Sequence, residues 1–133
     1  MAGLFSNNED LAKNLIKSGS IVGEKLWRMP LGEEYDNVLE YNKRALAIFE
    51  ELDDKRGIAI SVYHRGRINW NLCNYDKARE YYNQSLDIAF ELNDMSLISF
   101  MQLRFAEVYH SEGNYIEAKN KIELSYAIVE KLG

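Results

Sequence analysis

The chain has 133 residues, 47% hydrophobic and 28% charged, which is a globular composition and excludes a disordered chain. One proline and eight glycines exclude collagen-like and linker-dominated chains, and no apolar run approaches the ~20 residues of a membrane span. A net charge of -5 argues against nucleic acid as a partner, and a lone cysteine, Cys73, excludes an internal disulfide framework and fits a reducing, cytoplasmic setting.

The first predicted helix covers roughly residues 9–28. Leu11, Leu15, Ile16, Ile21 (or Val22) and Leu26 make a broken apolar stripe, and Ser6 or Asn8 can cap its start. Met29-Pro30 ends it, because proline disfavours a helical residue before it. The opening Met1 to Asn8 lacks a basic region followed by a long apolar stretch, so it does not read as a secretory signal.

Five further helices are expected at about 34–52, 55–72, 75–92, 95–112 and 115–131. They follow from a repeat. The chain matches itself at a shift of 40: Tyr35, Tyr75 and Tyr115 align, as do Ile48, Ile88 and Ile128, and Leu52, Leu92 and Leu132. Ala45, Ser85 and Ser125 keep one small site, and Val38, Ala78 and Ala118 keep a second. The copies run over 14–53, 54–93 and 94–133, each with two helical segments. Asp53-Asp54 and Asn93-Asp94 read as caps between copies. Gly113 and Asn114 fit a left-handed helix end followed by a turn, and Cys73 occupies the place of Gly113 one copy earlier. No alternating strand pattern is present. A helical hairpin cannot bury its apolar face alone, but stacked hairpins can.

The order of residues resembles a known family. Gly66, Tyr75, Ala78, Tyr82 and Ser85 in copy two, and Ala106, Tyr109, Gly113, Tyr115 and Ala118 in copy three, resemble the tetratricopeptide repeat in its longer, 40-residue form, over about 35–133. The resemblance implies an all-α fold: a right-handed superhelical stack of three helix-turn-helix hairpins, about six helices in one domain over 1–133. It also implies a concave groove lined by the first helix of each pair. Copy two would present Tyr63, Arg67, Trp70 and Asn71; copy three would present Phe100, Leu103, Arg104, Glu107 and His110; Trp27 would join from copy one. The family's carboxylate clamp uses asparagine and lysine on these faces, and Arg67 and Glu107 stand at the asparagine sites.

Residues 1 to about 36 resemble a second family. Ala2 to Asn8, Asp10-Leu11-Ala12 and Gly23 to Tyr35 are similar to a segment of the cytosolic leucine aminopeptidase family. The metal-binding and catalytic motifs of that family lie outside the segment, and such chemistry needs clustered carboxylates and a lysine. The segment is therefore expected to act as structure, supplying the opening helix of a chimeric array. A natural gene fusion, an engineered recombinant and a library-selected protein all fit that join, and the abrupt ends favour a constructed one.

No chemistry is legible elsewhere. His64 and His110, the two histidines, form no metal motif, and Cys73 has no activating neighbour. Nucleotide-binding loops are absent, and no cofactor or metal is expected. Lys55-Arg56 and the His64, Arg65, Arg67 patch are expected to answer nearby acids or an acidic peptide. The expected function is a non-enzymatic scaffold that binds a protein or peptide partner in the groove. The alternative is an artificial or recombined structural unit that self-associates without a natural ligand. A homodimer through the C-terminal helix is expected, because Ile116, Ile122, Leu124, Tyr126, Ile128, Val129 and Leu132 give that helix more apolar surface than one hairpin covers.

Overall fold

A computed structural model describes residues 9–14, 16–17 and 33–132, with the backbone alone at 33–35. Residues 9–14 and 16–17 are helical and are labelled α1. The following helices are α2 (Glu33–Glu51), α3 (Lys55–Asn71), α4 (Tyr75–Glu91), α5 (Met95–Ser111) and α6 (Tyr115–Leu132). No strand occurs among the described residues. Each of the five later helices begins and ends within one residue of the range expected from sequence. The expected continuation of the first helix to 28 lies outside the described residues.

The turns explain this regularity. Asp53, Cys73, Asn93 and Gly113 all have positive φ (52°, 62°, 54° and 82°) and stand 20 residues apart. At each turn two backbone hydrogen bonds close the preceding helix. In the second, Cys73 N donates to Trp70 O (2.9 Å) and Asn74 N to Asn69 O (2.8 Å). The pattern repeats at 53–54, 93–94 and 113–114, and is the Schellman arrangement that satisfies a helix's last carbonyls. The residue after each left-handed position opens the next helix. Asp54 accepts from Gly57 N, Asp94 from Leu97 N and Asn114 from Glu117 N; Asn74 makes no such side-chain bond.

α3 pairs with α4 and α5 with α6, while α2 packs on α3 and α4 on α5. Small residues set the spacing. Val38, Ala78 and Ala118 are buried, as are Ala45, Ser85 and Ser125. Three of the buried serines keep their hydroxyls bonded: Ser85 Oγ donates to Ala59 O (2.8 Å), and Ser99 and Ser125 share a bond of 2.9 Å, while Ser61 Oγ is buried without a partner. Gly66 lies against the Tyr82 ring, which is fully buried between α3 and α5. The main core joins Tyr63, Tyr82, Leu97, Met101, Phe105 and Val108. A second cluster holds Ala12 of α1 against Ala45 and Phe49 of α2. The basic pair predicted to answer nearby acids does so: Lys55 meets Glu91 of its own copy at 3.0 Å, and Arg56 meets Asp94 of the next copy at 2.9 Å.

Two stability changes follow. Cys73 is exposed and left-handed, so burial of its thiol contributes little beside its reach to the Tyr75 side chain, while its Cβ costs roughly 1–2 kcal/mol. Cys73→Gly is expected to raise stability by about 1 kcal/mol, less the glycine's greater unfolded-state entropy, measured as a higher urea midpoint at unchanged slope. An unchanged or lower midpoint would contradict it. Gly66→Ala has the opposite sign. A Cβ there would lie 2.6 Å from the Tyr82 ring and 3.2 Å from Ala78 O, so a loss of about 1–3 kcal/mol is expected despite alanine's better helix propensity.

Candidate functional site

Side chains of α3 and α5 meet directly, and charge gathers where they do. Arg104 Nη1 lies 2.8 Å from Glu107 Oε1, and Arg67 Nη1 lies 3.8 Å from Glu107 Oε2. Both guanidinium groups also lie over aromatic rings, Arg67 over Trp70 (5.5 Å) and Arg104 over Phe100 (4.9 Å). The two cations share one carboxylate, which leaves a local excess of positive charge in an acidic chain. Arg104 Nε, Glu107 Oε2 and the hydroxyl of Tyr82 are buried without a hydrogen-bond partner. Burial raises the Tyr82 pKa, so that hydroxyl stays protonated.

Two depressions flank this cluster. One, of about 420 Å³, is a cleft lined by Trp70, Leu103, Arg104, Glu107 and His110, with Ala106 and Ser111 of α5 and Ala118 and Ile122 of α6. Trp70 Nε1 donates to Ser111 Oγ (3.2 Å) across one end. The other, of about 440 Å³, is lined by Arg56, Ile60, Tyr63, His64, Ser96, Leu97 and Phe100.

The predicted groove residues therefore divide. Trp70, Leu103, Arg104, Glu107 and His110 come together in the cleft. Phe100 and Tyr63 border the second depression, but Tyr63 is a correction to the expected open groove residue. It is only 7% exposed, stacked on Tyr82 (5.6 Å) and met edge-on by Phe100 (5.0 Å). Tyrosine at that position fills the space between neighbouring first helices. Arg67 reaches the site through Glu107, and Asn71 is half-buried with an unpartnered Oδ1. Trp27 lies outside the described residues.

Ala106, Ser111, Ala118 and Ile122 were missed, and for Ala106, Ala118 and Ile122 the repeat itself holds the signal. Shifted back by 40, the cleft residues Leu103, Ala106, His110, Ala118 and Ile122 become Tyr63, Gly66, Trp70, Ala78 and Tyr82. That earlier set receives α5. Tyr63 meets Phe100, Tyr82 meets Phe105 edge-on at 5.8 Å, and Trp70 bonds Ser111. The cleft thus has the lining of a helix seat, and among the described residues no helix occupies it.

Residues 31–89 match the tetratricopeptide repeat family. A second similarity is to proteins described as probable cytosol aminopeptidases. Those of Bradyrhizobium sp. and Phytoplasma mali are each 62% identical over 39 residues, 29% of this chain and 8% of theirs. That of Rickettsia canadensis is 44% identical over 62 residues, 47% of this chain and 12% of its own. The matched part is thus a small fraction of these relatives' length. No group of three His, Cys, Asp or Glu side chains comes together among the described residues.

His64 supplies a test of this side of the stack. Burial holds its imidazole well below the ordinary range, at about 4, and the nearby Arg67 adds to the effect. Above a pH of about 6.5 neither the folded nor the unfolded chain carries that proton. As pH falls through 6.5 towards 4 the unfolded chain takes it up first, so stability drops, by about 1–3 kcal/mol. His64→Gln is expected to remove that part of the loss in melts run from pH 7 to 4. An identical acid limb in both proteins would contradict the assignment.

Proposed function

We propose that the chain is a non-enzymatic protein-interaction scaffold that binds a helical or peptide segment of a partner on the α3–α5 side. The observation that carries this reading is the cleft, whose lining repeats the residues that seat α5 one copy earlier. Apolar walls from Leu103, Ala106 and Ile122 would take a partner's large side chains. Trp70, Arg67 and Arg104 are of the residue types that dominate binding energies. The pairing of Arg67 and Arg104 with a single Glu107 favours a partner that brings an acidic group. The aminopeptidase-like segment serves as structure in a chimeric chain, and its relatives' activity is not carried over. A cytoplasmic setting suits the exposed, free Cys73, and no described helix is long and apolar enough to cross a membrane.

The test uses the helix that fills the equivalent seat. A synthetic peptide of residues 94–112, held helical by a crosslink on its solvent side, is titrated with the full chain and followed by fluorescence anisotropy. Saturable one-to-one binding is expected. A peptide with Phe100→Ala and Phe105→Ala is expected to bind at least about tenfold more weakly, and Trp70→Ala in the chain to weaken binding comparably. Binding that is absent, or indifferent to both changes, would sink the reading.

A further inference from the structure

Eleven large apolar side chains are exposed among the described residues, and all but Leu11, Phe90, Leu92 and Phe100 belong to α6. On α6, Tyr115, Ile122, Tyr126 and Val129 fall within about 60° of arc, at 64, 39, 67 and 53% exposure. One copy earlier the same stripe reads Tyr75, Tyr82, Leu86 and Ala89 on α4. There every member is buried or half-buried in the core that α4 shares with α5. The chain therefore holds its own template for what covers such a stripe: a helix lying antiparallel beside it. Ile128, expected from sequence to belong to the open patch, instead packs against the core.

The geometry points to a second copy as the occupant, with α6 of each chain packed antiparallel on the other across a two-fold axis. This rests on reading the open cleft and its α6 wall as a helix seat. Two observations single out α6 itself. The four exposed apolar residues outside it are scattered over α1, α4 with its cap, and α5, and make no second stripe that could cover the first. The flanking charges are also complementary under this one symmetry. Lys119 and Glu130 lie beside the stripe, both exposed and about 16 Å apart along the helix, and Lys119 makes only a long, exposed pair of 3.9 Å to Glu123 on its own helix. A two-fold axis between Leu124 and Ser125 sets Lys119 of each copy beside Glu130 of the other and brings Ile122 within about 1.5 Å, along the helix, of the level of Tyr126. A parallel pairing would instead set Lys119 level with Lys119 and Glu130 level with Glu130, leaving the two charges about 16 Å apart. Self-complementarity of this kind closes at two copies.

Sedimentation equilibrium of the full chain at micromolar concentration is expected to give twice the monomer mass. Tyr126→Glu with Val129→Glu, both at exposed positions, is expected to return the monomer with unchanged helical circular dichroism. Lys119→Glu is expected to weaken association about tenfold, and adding Glu130→Lys to restore it. A monomeric wild type, a dimer indifferent to the Tyr126 and Val129 changes, or open-ended polymers would overturn the pairing. The crosslinked 94–112 peptide separates the two readings. A monomer that still binds it overturns the dimer alone, and a monomer that does not bind it overturns both. A dimer that the peptide dissociates supports both, and a dimer that the peptide leaves intact keeps the pairing and removes the helix seat.

Discussion

Every turn in the described array hangs on one residue with positive φ. At 53, 73, 93 and 113 the backbone enters the left-handed region, and only there can two amides swing back onto the last carbonyls of the helix just ended. The consequence is directional. The chain leaves each helix at a fixed angle, the next residue is already a cap, and the following helix starts at once. Stacking is then almost dictated, because each helix arrives beside its predecessor with its apolar side turned inward. Aspartate and asparagine tolerate this conformation better than most side chains, glycine tolerates it best, and cysteine is the exception in the series.

Interhelix distance is the second constraint. Glycine, alanine and serine at the crossing points let backbones approach, and the rings of Tyr82 and Phe49 fill the volume that this releases. Serine in these places brings a hydroxyl into the core, and the close approach supplies a partner: a carbonyl that accepts from Ser85, and for Ser99 and Ser125 each other's hydroxyl. Asn42 works similarly, donating to Ser61 O while accepting from Arg65 Nε. Small polar residues thus fix register between helices at positions where a larger apolar residue would push them apart.

Helix positions were legible in the sequence because the determinants are local. The spacing of Tyr75, Ala78, Tyr82 and Ser85, and the cap-forming pairs Asp53-Asp54 and Asn93-Asp94, act within a few residues of themselves. The site was only partly legible, because side-chain exposure depends on what lies opposite. Tyr63 and Leu103 occupy equivalent positions, yet Tyr63 is covered by Phe100 while Leu103 lines the cleft. Ile128 and Val129 are neighbours of similar character, and a rotation of one residue separates core from surface. Analogy of position yields most first-helix residues of the cleft, Trp70, Leu103, Arg104, Glu107 and His110, but not Ala106 or Ser111. It passed over Ala118 and Ile122, which belong to a second helix and enter only once the hairpin is folded.

The sharing of one residue between two helices has a consequence for how such a chain can change in length. Asp54 and Asp94 each finish one helix's hydrogen bonding and begin the next, so the turn contains no slack. An inserted or deleted residue has nowhere to be absorbed. It would rotate the downstream helix by about 100° and turn its apolar side away from the stack. Growth and loss are therefore quantised. The array accepts or gives up material in whole hairpins, and a foreign helix can be spliced in only where it arrives in phase with the next cap.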